Sequence, residues 1–290
     1  MTKQELLHQV NEALAGSSEH TIRQFCSIIA RFYDFSGGSF TRTQVVNYIK
    51  NLEKQGYSPG TRRTHFRVLK RGFEIAHKLD PEIEWTFGKR VPSEVAIADV
   101  PWEKTKIAFT SGEIKALIDT AREGKLGKAE KQLRIPIGSL SALVALSTTY
   151  GLRRIEMADL DSDALNLETK RLRVFTRHGS RIREHLIPDA IIPYLKHYQP
   201  LRSEFKLSQV FHEIEKESGL PERYGTGWHS NRRGLVNTLV DTGLDKMLIY
   251  DFMRWKLSVQ FGMLGTYFTE APESVDQKVF EKHPFLDFWI

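Results

Sequence analysis

Apolar positions in the first eighty residues recur at steps of three and four. Across residues 21–35, Ile22, Phe25, Ile28 or Ile29 and Phe32 fall on one face, which predicts an amphipathic helix. Gly37 and Gly38 break it. Thr41 is placed to cap a second helix that ends at Gly56. The segment from Tyr57 to Gly60 reads as a turn, and Thr61 opens a third helix running to Leu79. In this third helix Phe66, Leu69 and Phe73 share one face, while Arg63, Arg67, Lys70 and Arg71 recur along another. With Arg62 they form a basic set, and no acidic residue lies between Glu53 and Glu74.

From Asp80 to Ile107 the periodicity lapses and Pro81, Pro92 and Pro101 intervene, which predicts an extended linker. Helical spacing resumes in residues 109–121, where Thr110 or Ser111 can cap and Glu113 sits in the first turn. An apolar helix is expected from about Ile135 to Tyr150. Two alternating runs, residues 171–177 and 182–188, flank His178-Gly179-Ser180 and predict a β-hairpin. The chain from Asp189 onward reads as mainly helical. The expected fold is mainly α, in two domains: a helical bundle over 1–88, a linker over 89–107, and a mixed helical domain with a small antiparallel sheet over 108–290.

Composition narrows the function classes. A single Cys26 among 290 residues excludes a disulfide framework and a clustered thiolate site. No apolar run approaches the ~20 residues that cross a bilayer. Residues 1–10 are polar where a secretory signal would be apolar. These features lead to the expectation of an intracellular protein without a membrane partner. The net charge of +6 favours an anionic partner without naming one.

Candidate chemistry lies in four segments of the second domain. Arg153 and Arg154 follow the apolar helix, with Glu156 three residues on as an orienting carboxylate. His229 and Arg232 stand three apart on an expected helix and can address one ligand. Arginine offers a planar fork that fits phosphate oxygens, and histidine exchanges protons near neutral pH. Trp255 and then Tyr267 complete the set. Taken singly, each has an ordinary structural explanation: a helix-terminal arginine pair, a chance spacing, or a core aromatic.

Their order changes that balance. Arginine, His-x-x-Arg, tryptophan and a late tyrosine resemble the tyrosine recombinase (phage integrase) family, with about seventy-five residues from Arg153 to His229 and thirty-five from Arg232 to Tyr267. Residues 21–35 and 57–75 are similar to the family's helical core-binding domain, and residues 109–118 to the start of its catalytic domain. The resemblance implies that Tyr267 attacks a DNA phosphate to give a 3′-phosphotyrosyl intermediate, with no metal or nucleotide cofactor. It assigns Arg153 and Arg232 to the non-bridging oxygens, His229 to a hydrogen bond or the tyrosine proton, Trp255 to a phosphate contact or packing, and Glu156 to orientation. Arg62, Arg63, Arg67, Lys70 and Arg71 are then expected to face double-stranded DNA.

Two departures from the family pattern stand out. The family's hairpin lysine is missing, since none occurs between Lys170 and Lys196; the hairpin offers Arg177, His178 and Arg181 instead, so that one of these or another residue serves, or cleavage is slow. The interval from Trp255 to Tyr267 also exceeds the family's usual spacing. Tyr250 is the rival nucleophile. The apolar residues Phe285, Leu286, Phe288 and Trp289 allow docking on their own domain or, as the resemblance favours, exchange between protomers of a DNA-bound homo-tetramer. The alternatives to a recombinase or integrase are a DNA-binding protein of the same fold without cleavage and a topoisomerase-like relaxing enzyme.

Overall fold

The computed structural model describes residues 2–83, 107–176, 181–223, 225–255 and 270–290. The chain divides into two compact units, Met1–Lys104 and Thr105–Ile290. Of the expected linker, only Ile107 is described. Arg177, His178 and Tyr267 lie outside the described residues.

The first unit is a bundle of four described helices: α1 (Lys3–Ala13), α2 (Glu19–Ser36), α3 (Arg42–Lys54) and α4 (Pro59–Leu79). Helix α1 was not anticipated, because only Leu6 and Val10 are buried along it. A capping box between Thr2 and Glu5 secures its start. Helix α2 stops where Gly37 turns left-handed at φ 60°, as the glycine pair predicts. Helix α4 begins two residues before Thr61. Ser58 is the N-cap, accepting from the Thr61 backbone, and Pro59 fills the first position, where its missing N–H costs nothing.

Aromatic packing joins the helices. Phe32 meets Phe40 and Tyr48 edge-on, with ring centroids 5.5 Å apart in each case, and Phe73 closes the group at 5.9 Å from Phe32. Tyr48 Oη and His65 Nδ1, both buried, share a 3.0 Å hydrogen bond. The basic set is split by this packing. Arg67 and Arg71 are exposed and Arg63 and Lys70 half-exposed. Arg62 is instead buried and pairs with Glu53 at 2.6 Å. Its neighbours in the helical wheel, His65, Phe66 and Leu69, are core residues, so the expected place of Arg62 on a DNA face is corrected.

The second unit starts with α5 (Ser111–Arg122), capped by Thr110 and Glu113 in the predicted box, and α6 (Gly127–Leu133). Glu130 of α6 is buried and accepts from the Leu140 backbone N–H at 2.9 Å, so it satisfies one orphan donor at the start of α7 (Ser139–Tyr150). All of α7 is buried. A helix apolar on every side belongs at the centre of a domain, and the others pack around it. It is followed by α8 (Arg154–Asp159), then a three-stranded antiparallel sheet of β1 (Leu165–Asn166), β2 (Arg171–Thr176) and β3 (Arg181–Leu186) in that order. Helices α9 (Ile192–Leu195), α10 (Glu204–Glu217), α11 (Trp228–Asp241), α12 (Lys246–Phe252) and α13 (Pro272–Glu281) complete the described α-helices. No described helix is long and apolar enough to cross a membrane.

The chain's last described residues pack on their own domain. Phe285 and Trp289 are buried, and Trp289 lies 4.6 Å from the Tyr194 ring. Arg122 of α5 donates to the backbone oxygens of Phe288 and Ile290 at 2.9 and 2.8 Å. In the single chain, docking in cis therefore takes the place of the exchange that the resemblance favoured.

Candidate active site

Three segments converge at the C-terminal end of α7. Helix α7 ends at Gly151 in a left-handed turn at φ 55°, where a Cβ would stand 2.7 Å from Met253 Cε. The left-handed backbone angle favours glycine there, whereas the close approach is to the flexible end of Met253. The turn delivers Arg153 to the start of α8. Glu156, one helical turn on, reaches back to it: Oε2 accepts from the Arg153 backbone N–H at 2.8 Å and Oε1 from its Nη1 at 2.7 Å. Thr176 of β2 adds a third donor to Oε1 at 3.3 Å.

Helix α11 brings the second pair. Trp228 Nε1 donates to Leu207 O at 2.7 Å, tying α11 to α10, and Asn231 Nδ2 donates to Ser147 Oγ at 3.0 Å, tying it to α7. These bonds fix the rotation of the helix, so Arg232 points inward and His229 stays exposed. Arg232 donates to Gly151 O at 2.6 Å and Met253 O at 2.5 Å, and its guanidinium lies 5.5 Å from the centre of the Trp255 ring. Two N–H groups of its five are thereby used on the protein. Trp255 is half-buried and stacks edge-on against Tyr250 at 4.9 Å.

The electrostatics tie these side chains into one cluster. Burial would raise the Glu156 carboxyl, but Arg254, the Arg153 backbone N–H and Arg232 hold it down at about 2. The His229 imidazole lies below its ordinary value. Partial desolvation is the first cause, although the residue is exposed, and the positive fields of Arg232, Arg233, Arg153 and Arg154 add to it. Burial lowers Arg232, and Arg254 and Arg153 lower it further while Glu156 opposes them. Arg153, His229 and Arg232, far apart in sequence, thus form one cationic site around a buried carboxylate.

Five residues of this region were given no role by the sequence reading. Arg254, 3% exposed, donates to Glu156 Oε2 and Tyr150 O, each at 3.1 Å. Its Nη1 faces His185 Nε2 at 3.0 Å. His185 Nδ1 in turn meets Asp276 Oδ1 at 3.1 Å, and Arg183 donates to both Asp276 and Asp251. Strand parity was the available signal. Val174 and Leu172 pair with Arg183 and His185, so the polar residues of β3 share the buried face, while Ile182 is exposed.

Comparison with known proteins follows this geometry. No family model matches the chain. Its sequence is similar to the tyrosine recombinase XerA of Pyrococcus furiosus, at 22% identity over 255 residues, covering 83% of this chain and 81% of the relative. The tyrosine recombinase XerA of Thermococcus kodakarensis is 25% identical over 191 residues, covering 66% of this chain and 59% of that protein. Among solved structures, the Tn1549 transposon integrase in complex with transposon right end DNA superposes with a TM-score of 0.64. It is 12% identical, with 95% of this chain and 98% of that chain covered. The XerH site-specific recombinase bound to palindromic difH substrate, a post-cleavage complex, gives a TM-score of 0.62 at 13% identity, with 99% and 83% covered. The chain is thus similar in sequence to tyrosine recombinases of the XerA type, and its fold is that of the integrase and XerH structures.

Within the tyrosine recombinase fold, the described part of the expected site is Arg153, Glu156, His229, Arg232 and Trp255, which lie together. The two remaining expected participants, Tyr267 and the hairpin residue Arg177, fall in stretches outside the described residues.

Proposed function

We propose that the protein is a site-specific DNA recombinase or integrase that cuts and rejoins duplex DNA through a 3′-phosphotyrosyl intermediate. The observation that carries this reading is the preassembled cluster of Arg153, Arg232 and His229 around buried Glu156. A phosphoryl-transfer transition state gathers negative charge on its non-bridging oxygens, and fixed guanidinium groups aimed at that charge stabilise it without rearranging. Arg153 has one N–H engaged by the Glu156 carboxylate and Arg232 has two engaged by carbonyls, so both keep donors for phosphate.

In this mechanism the Tyr267 oxygen attacks phosphorus as the P–O5′ bond breaks. The phenol proton passes to His229, whose lowered pKa leaves it neutral and able to accept near pH 7. The departing 5′ oxygen takes a proton from a hairpin residue, His178 or Arg177. Energy stays in the phosphotyrosyl bond, so a 5′ hydroxyl attacking that bond reverses the chemistry and rejoins the strand. Arg63, Arg67, Lys70 and Arg71 of α4 supply phosphate contacts that add affinity without sequence information. The protein acts inside the cell on duplex DNA, as a homo-tetramer at paired sites. Tail exchange in that assembly requires residues 285–290 to leave the seat they occupy on their own domain.

The test is a nicked suicide duplex carrying the protein's own site. Wild-type protein should accumulate a covalent adduct and Tyr267→Phe should form none. Salt-sensitive binding with no wild-type adduct would mark a DNA-binding protein that lacks cleavage, the reading favoured by the missing hairpin lysine.

A further inference from the structure

Arg254 occupies a backbone conformation that ordinary side chains avoid. Its φ is 57°, in the left-handed region where glycine is favoured, yet an arginine engaged through both terminal nitrogens stands there. Its Nη1 donates to Phe252 O at 3.2 Å as well as facing His185, and its Nη2 is shared between Tyr150 O and Glu156 Oε2. Backbone strain of this kind persists only where surrounding contacts impose it.

The hydrogen-bond directions can be assigned. Arginine only donates, so His185 Nε2 must present a lone pair, and the ring proton sits on Nδ1 and is donated to Asp276. Asp276 is locked in place by the Leu186 backbone N–H at 2.7 Å and by Arg183 Nη2 at 2.8 Å. A continuous line therefore runs from Asp276 on α13, through His185 on β3, to Arg254 after α12, to Glu156 on α8 and finally to Arg153. Arg254 and Asp276 lie on either side of Tyr267 in sequence.

We propose that Arg254, backed by His185 and Asp276, is a positioning residue that holds the Glu156 carboxylate square to Arg153 and so sets the orientation of that arginine toward phosphate. This rests on the recombinase reading. Glu156 takes the Arg153 guanidinium on Oε1 and the Arg254 guanidinium on Oε2, so each holds a different oxygen of the carboxylate. With Arg254 gone, Glu156 Oε2 keeps only the Arg153 backbone N–H, while Oε1 keeps Arg153 Nη1 and Thr176, so the carboxylate is held by fewer donors. Arg153 then loses its fixed direction while retaining its charge.

The experiment compares wild type, Arg254→Gly and Arg254→Lys on the suicide duplex, with single-turnover cleavage and DNA affinity measured separately. Glycine suits the left-handed backbone, so the variant removes the cation while relieving the backbone. Arg254→Gly should slow cleavage about 10- to 100-fold while DNA affinity stays within about two-fold, as expected for misplacement of a reacting group. Arg254→Lys should recover most of the rate. A Gly variant that cleaves at the wild-type rate, or a loss of rate and affinity in equal measure, overturns the proposal and leaves the recombinase reading standing. Wild-type protein that forms no adduct overturns both. Nitrogen NMR of the wild-type histidines supplies a readout independent of the variants. His185 should be neutral with its proton on Nδ1, and a proton on Nε2 would remove the line that the proposal depends on.

Discussion

The two units solve the same packing problem with different materials. In the N-terminal bundle the centre is aromatic: Phe32, Phe40, Tyr48 and Phe73 fill it, and the buried polar pair Tyr48–His65 satisfies itself. The C-terminal unit buries Glu156, Arg183, His185, Arg232, Arg254 and Asp276 beside its apolar core. Burying a charge is costly unless it is paired and hydrogen-bonded, and replacing such pairs by apolar residues is often neutral or stabilising. A unit that keeps a line of them is spending stability on holding something in place. Here the line ends on Arg153, the residue expected to face phosphate.

The largest break in this comparison comes from removing one buried charge. Asp276→Ala should destabilise the protein by about 3–5 kcal/mol, because Arg183 is left without its fully buried partner and His185 loses its acceptor. Denaturant unfolding measures it, and a loss below about 1 kcal/mol would mean that the network contributes little to holding the unit together.

Acid should separate the two units next. His185 and His283 are buried and neutral, lowered to about 4 chiefly by desolvation, while an unfolded histidine titrates near 6.5. Below about pH 6.5 the unfolded chain binds these protons and the folded one refuses them. Stability thus falls as pH drops and the loss is complete near pH 4, at up to about 3 kcal/mol per histidine. Glu156 acts lower. Its contribution is present above about 4.5 and lost as pH falls toward 2. His65 is the histidine of the N-terminal unit whose pKa is also lowered, again chiefly by desolvation. Hydrogen exchange at pH 7 and 5 should show opening concentrated in residues 107–290; equal weakening of both units would contradict the contrast.

The smallest effect sharpens the division within α4. Arg67→Ala should reduce the salt dependence of DNA binding by about one unit of slope, as for one lost phosphate contact. Arg62→Met should leave the slope unchanged, because Arg62 is buried against the bundle and paired with Glu53.

Periodicity and end signals made much of the fold legible. The Thr41 cap, the Gly37 stop, the Thr110–Glu113 box and the hairpin all follow from local chemistry that the chain carries in short stretches. The candidate site was legible as a set of types in order, which is how Arg153, Glu156, His229 and Arg232, brought together by the fold, could be named. Arg62 was misplaced because five charged or polar positions in a row, Thr61 to His65, obscure which of them the helix turns inward. Arg254 was missed because its role depends on contacts with residues up to 104 positions away, which no local pattern encodes. His185 and Asp276 were missed for the same reason, since a buried charge looks like a surface charge until its partner is known.

The central claim is that this cationic cluster serves a covalent step on DNA by Tyr267. The most direct measurement is to digest the trapped protein–DNA adduct and identify by mass spectrometry the residue that carries the nucleotide. The account predicts a phosphodiester on Tyr267. Attachment at Tyr250, or at any other residue, would contradict it.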